Sequence, residues 1–302
     1  MFYRATIRRL KELGIIGINR RNLDYLLELN CRSLYPLVDD KEIMAQLATR
    51  FEIPIPQIFD IIHSPQEIHH IKETLAKLSS CVLKPANGCG GRGIWLLEKR
   101  NKSLLDLSKI DQSSWVRPNS ETVAMREVEN HAIEVISGGF SITGQPDRLL
   151  IQERITLHPF FAKICPIGIP DIRIVVKEQE PIMAMLRLPT FDSEGRANLH
   201  QKALGVGIDL DTGISTLAIY GENYINTHPD TGKPISQLRI PHWNEFLNLA
   251  IKIARVTNLG FLGVDCVLDP NRGPLLLEAN ARPGLMIQWA NGIGFLKLSE
   301  WS

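Results

Sequence analysis

The chain has 302 residues, a mass of 34.0 kDa, 44% apolar residues and 22% charged ones. Those proportions are those of a globular domain and exclude global disorder and a coiled coil. No apolar run approaches the ~20 residues of a membrane span. The formal charge of +1, from 34 basic and 33 acidic residues, gives no reason to expect nucleic acid or an anionic membrane as partner.

The first 38 residues predict a short helical segment. Arg4, Arg8, Arg9 and Lys11 alternate there with Ile7 and Leu10, the pattern of a solvated helix face. Charge interrupts MFYRATIRRLKELG too early for a signal-peptide core. The five cysteines (Cys31, Cys81, Cys89, Cys165 and Cys266) are odd in number and form no CxxC pair. A reducing, cytoplasmic location without structural zinc is the expectation. A helix should begin at Asp39 or Asp40, which can cap it, and run with Ile43, Leu47 and Phe51 on one face. It should stop at FEIPIPQIF, where Pro54 and Pro56 favour extended chain. Residues 66–79 read as a second helix. CVLKP (81–85) and IWLLEK (94–99) read as strands flanking NGCGGRG (87–93). Residues 100–120 are polar and loop-like, and 121–138 read as a helix ending at Gly138-Gly139. Strands follow at LLIQERI (149–155), DIRIVVK (171–177) and PIMAMLRLP (181–189). A helix at 242–257 precedes FLGVDCVLD (261–269) and PLLLEAN (274–280). This order predicts an α+β fold of mostly antiparallel strands rather than a parallel doubly wound sheet.

Gly88, Gly90 and Gly93 satisfy G-x-G-x-x-G, with Gly91 between them. A dinucleotide fingerprint requires a helix to open at the loop. Here Ile94-Trp95-Leu96-Leu97 follows, which is strand-like. No Gly-Lys-Ser/Thr ends the loop, so it is not a Walker loop either. A glycine hairpin that folds over a triphosphate remains, with an ordinary glycine turn as the bland alternative. Lys84 lies in the preceding apolar strand. A buried ammonium needs an anion, here a nucleotide phosphate or a protein carboxylate. A protein kinase would place its lysine after the loop and would carry His-Arg-Asp and Asp-Phe-Gly elements, which this chain lacks.

Glu278 and Asn280 are two apart on a predicted strand and so share a face. A hairpin through DPNRGP (269–274) would set Asp265 beside Glu278. Two carboxylates and an amide oxygen form a hard-oxygen set suited to Mg²⁺. Without a cation they would repel each other. The alternative is that they are solvated or paired with Arg272 or Arg282.

Taken in order, these motifs resemble the ATP-grasp superfamily of carboxylate–amine ligases, from about Asp39 to about Gly294. Within it the chain is similar to the RimK-type, alpha-L-glutamate ligase-related group, through DIR (171–173), Arg187 in MLRLP and RANLH (196–200). The resemblance implies an ATP-grasp fold of two α+β subdomains clamping a nucleotide. The short segment 1–38 would stand in place of a full N-terminal domain. The grasp module would fill 39–302, with the lysine and glycine loop in about 39–148 and the hinge strand, arginines and metal site in about 149–302. It implies ATP contacts from Lys41, Lys84, Gly88, Gly90, Gly91, Gly93, Gln152, Glu153 and Ile155, and Mg²⁺ (or Mn²⁺) ligation by Asp265, Glu278 and Asn280. Arg173, Arg187, Arg196, Asn198 and Arg282 would serve the transferred phosphoryl group and the substrate carboxylates, with His200 a weaker candidate. Lys202 departs from the small residue common after NLH, and Arg282 from the small residue common between the metal ligand and the proline.

The activity implied is an ATP-dependent ligase that joins an amino-acid or peptide carboxylate to an amine through an acyl phosphate. Neither nucleic acid nor a membrane span enters, and oligomeric state is left open. A nucleotide-binding scaffold without turnover and a small-molecule kinase are the competing readings. A Rossmann oxidoreductase is the weakest.

Overall fold

The computed structural model describes residues 7–88, 90–99, 115–118, 120–141 and 144–298. Arg4, Cys89 and most of the 100–120 stretch lie outside them. The chain divides into two compact units: Asp40–Glu42 with Pro56–Ile155, and Met1–Asp39 with Ile43–Ile55 and Thr156–Ser302. By this division the chain changes unit at 39/40, 42/43, 55/56 and 155/156.

The smaller unit has six described strands: β1 (Ile58–Ile62), β2 (Ser80–Pro85), β3 (Trp95–Lys99), β4 (Trp115–Val116), β5 (Thr122–Val123) and β6 (Leu149–Gln152). They are ordered β1-β6-β2-β3-β4-β5, and every described pairing is antiparallel. Alternation along β2 sends Cys81 and Leu83 to one face and Val82 and Lys84 to the other. Cys81, Leu83, Leu97, Leu149 and Ile151 meet Ile71 and Leu75 of the helix Ile68–Ala76. They also meet Val128, Ala132 and Val135 of the helix Met125–Ile136, a spacing of four and three residues that makes one helical stripe. That second helix ends before Gly138, whose φ of +88° suits glycine; a Cβ there would come within 2.4 Å of the Gln145 carbonyl oxygen.

The larger unit carries β7 (Asp171–Lys177), β8 (Glu180–Leu188), β9 (Leu204–Ile208), β10 (Ser215–Tyr220), β11 (Asn223–Tyr224), β12 (Phe261–Asp269) and β13 (Gly273–Asn280). Their order is β11-β10-β9-β8-β7-β12-β13. β7 and β8 are joined through Glu178 and Gln179, both with positive φ, the backbone of a tight mirror-image turn. Asp269 shapes the β12–β13 turn, accepting hydrogen bonds from the backbone N–H groups of Asn271 (2.9 Å) and Arg272 (3.0 Å). One face of this sheet, with Ile172, Ile174, Leu186, Val264 and Cys266, packs on Phe246, Ala250 and Ile253 of the helix Trp243–Thr257.

The opposite face is half apolar and half charged. At its apolar end Val175, Met183 and Phe261 are sealed by Ile16, Tyr25, Leu26, Ile287 and Phe295. The N-terminal segment is thus core. Two buried amides sew it in. Asn30 donates to the carbonyls of Phe261 (2.7 Å) and Ala281 (3.2 Å) and accepts from Phe261 N–H (2.8 Å). Gln288 bonds both backbone groups of Ile16. Asn30→Ala leaves buried backbone groups without partners, at about 1–3 kcal/mol for an unpaired buried group. A loss of about 2–4 kcal/mol in urea unfolding is the expected result for the three bonds together. A midpoint equal to the wild type's would place Asn30 outside the core.

Two expectations change. The helix Lys41–Arg50 buries Met44 and Ala48, not Ile43 and Leu47, and Phe51 lies beyond its end, 38% exposed. Asp40 accepts from Glu42 N–H at 2.9 Å, and Lys41 turns its ammonium to the carbonyls of Ala86 and Gly88. β9 and the helix Met286–Asn291 carried no sequence signal, because β9 is rich in glycine. A Cβ at Gly207 would lie 2.5 Å from the Ala290 carbonyl oxygen, so the glycine is what lets this helix lie on the sheet.

Candidate functional site

The charged half of the larger sheet is built by register. Asp265 on β12 lies opposite Glu278 on β13 and opposite Arg173 on β7. Asp171, two residues before Arg173 on the same face, lies opposite Arg187 on β8. An extra residue, Leu277, interrupts the β12–β13 ladder, since Asp265 pairs with Glu278 but Cys266 with Leu276. Without that bulge the acidic pair would be out of register.

Arg173 grips Asp265 with two bonds, Nε to Oδ1 at 2.7 Å and Nη2 to Oδ2 at 2.5 Å. Arg187 grips Asp171 the same way, at 2.5 and 2.6 Å, and reaches Asp265 Oδ2 at 2.7 Å. Asp265 is wholly buried, Asp171 and Arg187 nearly so. Burial opposes ionisation of Asp265, but the two guanidiniums outweigh it and hold the carboxyl near 2, below its usual range. Two carboxylates and two guanidiniums thus balance inside the sheet face, and Glu278 is half-buried beside them.

The other candidates in this unit lie in three surroundings. Asn280 accepts Arg282 N–H on its Oδ1 at 2.8 Å. Arg282 pairs with Asp39 at 2.6 Å and lies over the Tyr35 ring at 4.9 Å. Arg272 pairs with Asp269 at 3.0 Å. Neither Arg272 nor Arg282 is therefore the partner of Asp265; Arg173 and Arg187 are. Arg196 pairs on the surface with Glu194 at 3.1 Å, and Lys202 with Asp192 at 3.5 Å. Asn198 caps the short turn Leu199–Gln201, its side-chain oxygen accepting His200 N–H at 3.0 Å. Arg196, Asn198 and His200 thus make local contacts, while Arg173 and Arg187 belong to the charged row.

In the smaller unit Lys84, 6% exposed, shares the sheet face turned away from the two helices with Gln152, through the pairings Lys84–Leu150 and Val82–Gln152. Gln152 donates to the Pro56 carbonyl at 3.1 Å. Glu153 pairs through its backbone N–H with Gln57 O (2.8 Å) and through its carboxylate with Gln57 N–H (2.9 Å). Both side chains therefore tie the end of β6 to the segment entering β1, and Ile155, half-buried, follows them.

The glycine loop links β2 to β3 as a hairpin, so a strand does follow it. Both ends of the loop are fixed. At the root, Lys41 donates to the carbonyls of Ala86 (3.3 Å) and Gly88 (2.9 Å). Asp147, buried, accepts from Asn87 N–H and Nδ2, each at about 3.0 Å. Arg148 pairs with Asp40 and Glu42. At the far end a Cβ on Gly93 would overlap the Phe140 ring at 2.6 Å, and His131 Nε2 bonds the Gly93 carbonyl at 3.0 Å. Gly90 and Gly91 have positive φ, and a Cβ on either would meet nothing within 4 Å. The loop is thus anchored at Asn87–Gly88 and at Gly93.

His131 also stacks on Trp95, centroids 4.1 Å apart. Burial lowers its pKa to about 4, with the Gly93 bond opposing and Arg117 assisting. An imidazole depressed below its unfolded value of about 6.5 is bound by more protons when unfolded, so its protonation destabilises the fold as pH falls. Thermal midpoints should therefore drop more steeply from pH 6.5 toward 4 for the wild type than for His131→Gln. Parallel curves would remove the buried neutral imidazole.

Asp40, Asn87, Asp147, Arg148, His131 and Asp171 were not singled out as site residues from the sequence. Only Asp171 and Asp147 left a signal, as a carboxylate near an arginine in or beside an apolar strand (DIR, DRLLI).

The chain matches the family model described as sugar-transfer associated ATP-grasp over residues 20–300. A comparison with curated proteins gave no match. Among solved structures it is similar to D-alanyl-alanine synthetase A from Vibrio cholerae O1 biovar eltor, at 11% identity, TM-score 0.53 and 90% of this chain against 66% of that one. It also matches a RimK domain ATP-grasp protein from Sphaerobacter thermophilus (14% identity, TM-score 0.46, 90% of this chain and 66% of that one). A third match is the ATP-grasp ligase PsnB complexed with minimal precursor (14% identity, TM-score 0.45, 89% and 58%). The chain thus spans 58% to 66% of the length of these proteins. The synthetase likeness bears on the fold, two units of antiparallel sheets and helices, and the family match covers nearly the whole sequence. By that match the chain belongs to the sugar-transfer associated ATP-grasp family.

Proposed function

We propose that this protein is an ATP- and Mg²⁺-dependent ligase that joins a carboxylate to an amine. The observation that carries the reading is the charged sheet face of the larger unit. Asp265 and Glu278 stand directly opposite each other on adjacent strands, with Arg173 and Arg187 on the same face.

The donor set fits a hard divalent cation. Asp265 and Glu278 would supply carboxylate oxygens and Asn280 an amide oxygen, Asp265 while accepting from Arg173 and Arg187 and Asn280 while accepting from Arg282 N–H, and Mg²⁺ takes one or two carboxylates beside phosphates and water. Bound there, Mg²⁺ would neutralise charge on the phosphates of ATP, which supplies the phosphoryl group. Lys84 and the backbone N–H groups of the glycine loop would hold the nucleotide's phosphates, and Lys41 would set the loop's root.

A free carboxylate does not react with an amine in neutral water, because its oxygen is a poor leaving group. Its phosphorylation to an acyl phosphate makes phosphate the leaving group, and amine attack then forms the amide. Arg173 and Arg187, whose Nε and Nη2 groups grip Asp265 and Asp171, would meet negative charge on the transferring group through their remaining N–H donors. Arg282 would hold a substrate carboxylate near the cation ligands. Asn198 and Arg196 would act only at the edge of substrate binding. A location in the cytoplasm is part of the same proposal.

The test is product mass spectrometry with ATP, Mg²⁺ and a mixed panel of amino acids, peptides and, in view of the family's description, amino sugars. Hydroxylamine in place of the amine should trap a hydroxamate. Phosphorylated product without amide would favour the kinase reading. ATP binding without ADP release under any panel member would favour the scaffold.

A further inference from the structure

The turn after β13 gathers three arginines. Arg282 is on the turn itself. Arg21 donates from Nη1 to the Pro283 carbonyl at 3.0 Å. Arg173 lies against the next residue, since a Cβ on Gly284 would be 4.0 Å from its Nη1. Two of the three are matched by carboxylates: Arg173 by Asp265 and Arg282 by Asp39. Among the described residues Arg21 has only neutral partners, Pro283 O and the Asn22 side-chain oxygen, reached from Nε at 3.1 Å and Nη2 at 2.8 Å.

Arg21 is half-buried, and burial and the nearby Arg282 both lower its pKa. A cation desolvated beside a like charge is an unfavourable arrangement on its own. An incoming anion would relieve it. A guanidinium has five N–H donors, and three of those on Arg21 are engaged. Arg282 is 40% exposed, so the pair is open to solvent. Arg21 also opens a seven-residue π-helical stretch, Arg21–Leu27, a local widening that is often found at functional sites. The segment bearing it is fixed to the sheet by Asn30 and Gln288, so the guanidinium is held on a rigid base.

We infer that Arg21 and Arg282 together bind a carboxylate of the ligase's substrate, making the N-terminal segment part of the substrate site. The inference rests on the ligase reading, in which Asn280, two residues before Arg282, helps to hold the cation. A substrate anchored here by one carboxylate and reacting through another is a small dicarboxylate or an acidic amino acid. Arginine's planar fork suits that planar anion, and lysine's point charge suits it less.

Calorimetric titration of the full chain at saturating Mg-ADP tests this, with succinate and L-glutamate as probes and neutral succinamide as control. The wild type should bind at least one of the two acids and not the diamide. Arg21→Gln should weaken that binding by about tenfold or more, with Arg21→Lys intermediate. Mg-ADP affinity should be the same in all three proteins. If Arg21→Gln lowers the melting temperature but leaves acid binding intact, Arg21 is only a brace for Pro283 and the inference is overturned. Binding of Mg-ADP without either acid to the wild type also overturns it. Failure of the wild type to bind Mg-ADP sinks the nucleotide reading instead, so the two failures are distinct.

Discussion

Glu278→Gln should abolish Mg²⁺-dependent ADP release while leaving the fold intact. Glu278 is half-buried and takes part in none of the bidentate pairs of the charged row, which run Arg173–Asp265 and Arg187–Asp171. The amide is isosteric and keeps the β12–β13 register. Only charge is lost, from a position directly opposite Asp265. Asp265→Asn is a poorer probe. It removes the anion that three charge-assisted bonds from Arg173 and Arg187 converge on, and so disturbs stability as well. If Glu278 is a cation ligand, its loss should depress turnover by roughly the 10²–10⁴-fold expected when a group that stabilises transition-state charge is removed. Mg-ATP affinity should fall, with the melting temperature of the free protein within about 2 °C of wild type, a shift of at most about 1 kcal/mol. Turnover like the wild type's would remove the metal assignment.

Much of the fold was legible in the sequence because its cores obey simple periodicities. The Val128–Ala132–Val135 stripe and the alternation of Cys81 and Leu83 with Lys84 read directly as a helix face and a strand. The Asp265–Glu278 pairing was legible because DPNRGP is a strong turn and strands alternate strictly. What escaped is non-local. Neither the bulge at Leu277 nor the Asp171–Arg187 pair, sixteen residues apart, has a local signature. The same holds for Asp147 with Asn87, sixty residues apart. The N-terminal segment read as a solvated appendage because its charged residues were visible and its partners, Phe261 and Phe295, lie far along the chain. Charge pairs in particular cannot be assigned from composition. Arg272 and Arg282 were the nearer arginines in sequence, yet Asp265 meets Arg173 and Arg187, because strand register and not sequence distance decides the neighbours.

The charge balance of the sheet face leads to the other large effect. Arg187→Met leaves Asp171 buried without its guanidinium, and Asp265 with Arg173 alone. Removing one partner of a buried pair costs about 3–5 kcal/mol, because the other charge stays desolvated. In the wild type, burial already pushes the Asp171 carboxyl upward against the pull of Arg187. Without Arg187 it should rise further. A carboxyl whose folded pKa lies above its unfolded value of about 3.9 destabilises the fold most at high pH, and protonation relieves that as pH falls. The deficit of Arg187→Met should therefore be larger at pH 8 than at pH 5. Replacing both partners, as Arg187→Met with Asp171→Leu, removes one charge of each sign and leaves Asp265 with Arg173. Most of the lost stability should return, since apolar replacement of a whole buried pair is often neutral. Activity should not return, if Arg187 meets the transferring group. Urea unfolding at the two pH values and ADP release in the double variant measure these separately. Restored turnover in the double variant would reduce Arg187 to a structural residue, and a pH-independent deficit would deny that Asp171 is the group left exposed to burial.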